Sequence, residues 1–347
     1  SRSFNSAIGA YMSRVSNAPN PKLRWERTKT LNVGVEIGLF DRLAMTLEYY
    51  NKRSYDLLGK VQIDPTLGFD EGSINAADMR NTGFEMQLNA EALRLKDFNW
   101  HVNFVFGYNK NKITKNNIAD GNPGYNRTHG IIKFTEGYAR EALWSYRWAG
   151  LDENGNPQTY DAEGNKTRTP VAESIECNGT YRPKYSGSLS TDFKYKNLTL
   201  MFSFIYNFGH VFRIAYPTMN PLDNNDLSAF VAKRWMQPGD EDKTDIPATL
   251  TWNYYDGYRE RLATHSSNSV RKGDFIRLRE ITLNYELPQL LVKKSPFSRV
   301  SLTAQANTVW MWTKNKEGFD PEVVDPIHGT LGLSEAPSFT FGLRVEF

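Results

Sequence analysis

Four residues of one short stretch have the types and spacing that bind a hard cation. Asp152, Asn154, Asn156 and Glu163 fall at positions one, three, five and twelve of a calcium loop of the helix-loop-helix type. Position six needs glycine for its sharp turn and is Pro157, and no helical pattern flanks the stretch. A polar hairpin turn is the stronger reading. The acidic run Asp240-Glu241-Asp242, with Asp245, also offers carboxylates, but reads more plainly as a solvated loop. His101, His129, His210, His265 and His328 are scattered without metal-pair spacing. Neither a Gly-rich phosphate loop, nor H-E-x-x-H, nor a G-x-S-x-G elbow occurs. No catalytic constellation and no cofactor is therefore expected, and the chain reads as a non-enzyme.

Aromatic residues between the periodic segments are the remaining chemistry: Trp144, Trp148, Trp235, Trp252, Tyr254, Tyr255 and Tyr258. An aromatic face stacks on a sugar ring or holds a peptide side chain, and binding sites favour Tyr and Trp. Packing of loop on loop is the plainer reading of any one of them, and the sequence does not separate glycan from peptide.

The segments that must carry these residues alternate with period two. From Leu31 the residues Leu31, Val33, Val35, Ile37 and Leu39 are apolar, with Asn32, Gly34, Glu36 and Gly38 between them, the pattern of a strand with unlike faces. Phe40-Asp41-Arg42 turns the chain into a second strand, Leu43 to Tyr50. The pattern recurs at 82–90 and 98–108, at 185–195 and 198–208, before Pro288, from Val300, and at Ser338 to Phe347. Arg277 and Arg279 would put two charges on an oily face, which predicts a bulge or an exit from the membrane there. The connections alternate short and long, the long ones falling at about 51–81, 109–184, 209–273 and 311–337. Outer-membrane barrels have that asymmetry, with short periplasmic turns and long extracellular loops. Tyr185 and Tyr195 lie ten residues apart on one face, which at a tilt of about 45° spans roughly 24 Å, the height of the lipid band. The competing soluble β-sandwich does not need such lopsided loops.

Composition agrees with an all-β transmembrane barrel. The 347 residues include 20 Phe, 18 Tyr, 8 Trp, 25 Gly and 16 Pro. Mean hydropathy is −0.57, which a barrel tolerates because only alternate residues face lipid. No apolar run is long enough for a transmembrane helix. The single Cys177 excludes an internal disulfide framework. A net charge of +3, from 42 basic and 39 acidic residues, gives no reason to expect nucleic acid. The start, Ser1-Arg2-Ser3-Phe4, has no signal-peptide character, and the odd count of strands does not close a bacterial barrel, so residues 1–347 read as part of a longer chain.

Six stretches carry a resemblance. They are Asn20-Pro21-Lys22-Leu23-Arg24-Trp25-Glu26, Met79-Arg80-Asn81-Thr82-Gly83-Phe84-Glu85, Ala149-Gly150-Leu151-Asp152, Arg234-Trp235 through Pro247, Phe275 through Pro288, and Trp312-Thr313-Lys314-Asn315 through Asp320-Pro321-Glu322. In this order the chain resembles the C-terminal part of the SusC/RagA family of TonB-dependent outer-membrane transporters of Bacteroidota. The resemblance implies a 22-stranded barrel with an N-terminal plug and a TonB box, neither in these residues. It also implies energy from the TonB-ExbB-ExbD complex, a SusD-like surface lipoprotein as lid, and import of oligosaccharides or peptides. The implied setting is the outer membrane of a Gram-negative bacterium, with loops extracellular and the C-terminus periplasmic. Phe347 resembles the terminal aromatic that other outer-membrane barrels use as an assembly signal. A structural or adhesive barrel without active transport is the alternative; an outer-membrane enzyme is disfavoured by the missing nucleophile.

The faces follow from the alternation. Leu31, Val33, Val35, Leu88, Phe104, Leu200, Phe202, Leu302 and Val345 are expected on the lipid side, and Glu36, Glu48, Glu85, Gln87, Asn103, Asn307 and Arg344 inside.

Overall fold

The computed structural model describes residues 2–5, 8–13, 18–64, 66, 68–69, 71–118, 123–131, 134–216, 229–249, 256–293 and 295–347. Nine strands form one sheet: β1 (Arg27–Leu39), β2 (Leu43–Gln62), β3 (Glu71–Arg94), β4 (Phe98–Asn116), β5 (Tyr185–Tyr195), β6 (Leu198–Phe208), β7 (Phe275–Glu286), β8 (Arg299–Thr313) and β9 (Ser338–Glu346). Each pairs antiparallel with its sequence neighbour, so the order is a simple meander. Among the described residues no helix is long and apolar enough to cross a membrane.

Register keeps the oily face continuous across the whole sheet. Val35 stands opposite Leu47, Leu47 opposite Met86, and Met86 opposite Phe106. Farther along, Phe104 faces Leu189 and Leu189 faces Phe204. A slip of one residue in any pair would turn a whole strand inside out. All nine expected lipid-side residues fall on this face and all seven expected inward residues on the other. The oily face is bare of protein: Val33, Leu343 and Phe341 are 55%, 66% and 82% exposed.

The expected bulge lies at Arg279, which has no cross-strand partner while its neighbours Leu278 and Glu280 do. That extra residue shifts the phase, so Leu278 and Ile276 continue the oily face opposite Phe204 and Tyr206 while Arg277 turns inward opposite Ile205. A second irregularity lies beside it in β8, where Thr308 takes a φ of 54°.

Two expectations fail: the strand expected at 98–108 runs on to Asn116, so the connection expected at 109–184 begins later, and the first long loop is mostly strand. Residues 51–81 are not a long loop, because β2 runs to Gln62 and β3 starts at Glu71, leaving 63–70 as the connection. Beyond Tyr50 and before Thr82 the outward positions are polar (Asn51, Arg53, Arg80), and bulges between Ser54 and Leu57 and between Asp78 and Met79 then interrupt the ladder, so period two does not mark these strand ends. Asp56, at a φ of 59° in the first bulge, is held at 2.7 Å by both Arg24 and Arg27. Above the bulges the hairpin has its own small core of Leu57, Ala76, Ala77, Ile113 and Phe134.

Candidate functional site

On the inner face, at the end of the wall that bears the long connections, lies a cavity of about 800 Å³. Asn81, Asn109, Asn111 and Asn207 reach it from the polar phase of β3, β4 and β6. Asn111 donates Nδ2 to Asn81 Oδ1 at 2.7 Å and accepts the Arg140 amide at 2.7 Å. Tyr50 donates its hydroxyl to Asn109 Oδ1 at 3.0 Å. Glu141, Tyr138, Arg182 and Lys184 stand on its rim, Lys110 borders it from β4, and a further space of about 310 Å³ shares Arg182, Pro183 and Asn207 with it. Amides, cations and a carboxylate on a concave wall are donors and acceptors suited to hydroxyls or peptide groups rather than to an oily ligand.

Over this cavity the long connections pack into one layer. Its core is Phe212, Ile214, Tyr216, Ile246 and Val324, with Phe230 and Phe319 against it. Arg213 holds three connections together. It donates to the carbonyls of Thr128 at 3.1 Å, Ile327 at 2.7 Å and Trp144 at 2.6 Å, and to Ser145 Oγ at 3.1 Å. It is 1% exposed, and burial without a carboxylate pushes its guanidinium down to about 10. Beside it the His129 and His265 rings stack at 3.9 Å. Burial lowers both imidazoles, His265 well below its ordinary value. Arg277 roots the layer in the wall through ion pairs to Asp320 at 2.5 Å and Glu322 at 2.7 Å.

A family model described as "TonB dependent receptor-like, beta-barrel" matches residues 1–307. The chain belongs to this TonB-dependent receptor β-barrel family. Its sheet is therefore part of the wall of a transmembrane barrel in the outer membrane, with the oily face towards lipid and the polar face towards the lumen. It is 27% identical to TonB-dependent receptor P39 of Formosa agariphila, over 94% of this chain and 36% of that protein. It is 25% identical to TonB-dependent receptor SusC of Bacteroides thetaiotaomicron, over 97% of this chain and 33% of that protein. The fold matches the structure of the RagAB peptide importer in the closed-closed state with a TM-score of 0.76 and 24% identity, over all of this chain and 38% of that one. The chain thus spans about a third of the length of the relatives it matches.

In this receptor barrel the described loop aromatics each have their own partners, Trp148 and Trp235 on the same 241–246 segment. Trp144 is buried, edge-on to Tyr138 at 4.6 Å with the Arg127 guanidinium over it at 5.2 Å. Trp148 donates Nε1 to Asp245 at 3.0 Å, and Trp235 donates Nε1 to Glu241 at 2.9 Å. That indole hydrogen bond holds the Glu241 carboxyl below its usual range, as the Lys243 ammonium does for Asp240. Tyr258 is 52% exposed on the first turn of the helix Gly257–His265, which Asp256 caps. Trp252, Tyr254 and Tyr255 lie outside the described residues.

Asp152 spends Oδ1 on the amides of Asn154 and Asn156, and Asn156 Nδ2 donates to it as well. Glu163 belongs to a second turn of the same build, in which Asp161 accepts the Asn165 amide at 2.7 Å. The two turns read Asp-Glu-Asn-Gly-Asn and Asp-Ala-Glu-Gly-Asn. Gly155 takes a φ of 74°, and a Cβ there would sit 2.6 Å from the Trp235 ring, so glycine lets the first turn dock beneath the indole. Among the described residues no three His, Cys, Asp or Glu converge on a metal position. Sequence reasoning missed the lumenal amides, although their signal was present as asparagines on the polar phase of strands already traced. Arg213 gave no such signal, because its partners are carbonyls remote in sequence.

Proposed function

We propose that this chain lines the substrate path of an active importer. In this reading it supplies nine strands of a 22-stranded wall, with the long connections extracellular, the C-terminus periplasmic and the single domain of residues 1–347 completed by a plug and TonB box elsewhere. TonB-ExbB-ExbD would supply energy, and a SusD-like lipoprotein would cover the loop layer. The cargo is an oligosaccharide or a peptide. The observation that carries the reading is the amide-rich lumenal cavity beneath a packed loop layer, a placement that a purely adhesive barrel does not need. Similarity to SusC and to a peptide importer supports it.

Two measurements test it. In intact cells, cysteines at Asn154 and Asp242 should react with an impermeant maleimide while one at Asn197 should not; labelling at 197 would overturn the orientation. In cells dependent on the transporter, Asn109→Leu with Asn207→Leu should lower uptake of the growth-supporting glycan or peptide at unchanged barrel abundance. Unchanged uptake would remove the cavity from the path.

A further inference from the structure

The lipid-facing side of the wall carries charges that a barrel exterior should not hold without a partner. Lys29 of β1 stands opposite Arg53 of β2, Arg53 opposite Arg80 of β3, and Arg80 opposite Lys112 of β4. All four are exposed and lie on the oily phase, in register with Leu31, Tyr49, Phe84 and Tyr108. Lys110, opposite Thr82, stands one step nearer the membrane on the same face. Like charges directly opposite in a sheet destabilise it, and here four stand in one unbroken row.

Among the described residues none of the five is in an ion pair, whereas Arg24, Arg27, Arg271, Arg277, Arg279 and Arg299 each have a carboxylate within reach. Arg80 is positioned by donating Nε to Asn51 Oδ1 at 3.1 Å. The nearest acidic residue in the same strand, Asp78, already accepts the Asp56 amide at 3.1 Å.

Height along the wall says what could neutralise the row. Tyr49, Phe84, Tyr108 and Tyr185 form a cross-strand aromatic row at the upper edge of the oily band, as interfacial aromatics do. The basic row lies four residues farther along each strand, roughly 10 Å higher at a tilt of about 45°. That is at or just above the headgroup layer, within reach of side chains that bend back to it. Between the rows the surface opens a cleft of about 440 Å³ whose lower wall is Tyr49, Phe84 and Tyr108 and whose upper wall is Arg80, Lys110 and Lys112. An oily floor under a cationic rim matches one kind of molecule, an amphiphile with an anionic head.

We infer that this outer-wall cleft binds a phosphorylated lipid of the surrounding leaflet, its acyl chains on the aromatic row and its phosphate between Arg80, Lys110 and Lys112, with Arg53 and Lys29 extending the cationic rim. Arginine forks match phosphate oxygens in pairs and the lysines add point charge. With the orientation proposed above, the leaflet is the outer one and the lipid a phosphorylated glycolipid. The lipid thereby offsets the repulsion built into the row and fixes the height of this part of the wall.

Full-length receptor in non-ionic detergent, followed by native mass spectrometry, decides the point. The probes are bis-phosphorylated lipid A, the same lipid after removal of both phosphates, and inorganic phosphate. Lipid A should bind, the dephosphorylated lipid should bind far more weakly, and inorganic phosphate should not displace lipid A. Each of Arg53→Gln, Arg80→Gln, Lys110→Gln and Lys112→Gln should weaken lipid A by about fivefold, the strength of one basic residue beside an anionic lipid surface. Arg80→Lys should keep most of the binding. Heat-modifiable gel mobility identifies assembled barrels, and if any of these variants does not assemble, the exposed change Arg80→Gln decides. Undiminished lipid A binding by the variants, or equal binding of the dephosphorylated lipid, overturns the site. Displacement by inorganic phosphate would make it a free-anion site and overturn the lipid. Binding in detergent is blind to the leaflet, so this result stands apart from the orientation, which the cysteine labelling decides.

Discussion

The wall and the loop layer of this chain are held by opposite means. The wall has regular ladders and almost no interior: its large side chains point out, Leu343 at 66% and Phe341 at 82% exposure, and lipid completes their burial. The layer above has little regular structure but a dry core around Phe212 and Ile214, with the buried cations Arg213 and Arg277 tying distant segments. A wall whose solvent is the bilayer needs only alternation; a layer exposed to water must make its own interior and satisfy every carbonyl it buries.

Arg213→Ala should separate the two regions most sharply. Four acceptors lose their donor, which should cost the layer about 3 to 5 kcal/mol. Hydrogen exchange should rise across 123–146 and 211–216 while β5 and β6 stay protected. Equal loss of protection in those strands would show that wall and layer unfold together.

On the wall, Phe202→Arg should cost about 2 to 4 kcal/mol in refolding from denaturant into bilayers, and the neighbouring Ser203→Arg much less. Ser203 stands opposite Glu280 on the lumenal face and meets Ser190 Oγ at 3.2 Å. Equal losses would contradict the faces.

At strand β9, Phe347→Asp should lower the amount of assembled barrel more than uptake per assembled barrel if Phe347 acts as the assembly signal that its resemblance implies. Its ring is 90% exposed and meets only the edge of Phe297 at 5.2 Å among the described rings, so lost packing is a small part of the expected effect. Normal abundance with reduced uptake would move Phe347 into the transport path.

The smallest effect separates the regions by pH. His265 and His129 are held neutral by burial, with Arg213, Arg261 and His328 adding repulsion to the His265 charge. Their folded values are depressed, so the unfolded layer takes up protons first as pH falls through the ordinary histidine range near about 6.5. Stability of the layer is therefore full above that range and is lost below it. Limited proteolysis within 123–146 should speed up between about pH 7 and pH 5, less so in His265→Gln, with the wall unchanged.

The same division explains what was legible. All nine strands and their faces could be read from residues such as Val33, Val35 and Ile37, because period two survives in sequence wherever one side meets lipid. It ceases to be readable past Tyr50, where Asn51 and Arg53 make the oily phase polar before the bulge at Tyr55 and Asp56 breaks the register, so the sequence shows β2 and β3 shorter than they are. The turn of Asp152 looked like ligand spacing because a carboxylate that caps amides and one that binds a cation occupy the same positions. Nothing near Arg213 in sequence points to Thr128 or Ile327. The lumenal asparagines were visible but unweighted, since an amide on a polar phase is ordinary until several meet at one mouth.

The irregularity at Arg279 and Thr308 acts on this wall as punctuation acts on a reading frame. Deleting Arg279 would join Leu278 directly to Glu280, closing the bulge against β6 while leaving Leu278 and Ile276 on the oily side and Arg277 inward with Asp320 and Glu322, so that only the ion pairs of Arg279 itself with Glu322 and Glu335 are lost. Length can therefore change by one residue at this bulge without turning either flank of β7 inside out, whereas the same change within a paired stretch of the strand would exchange lipid and lumen faces.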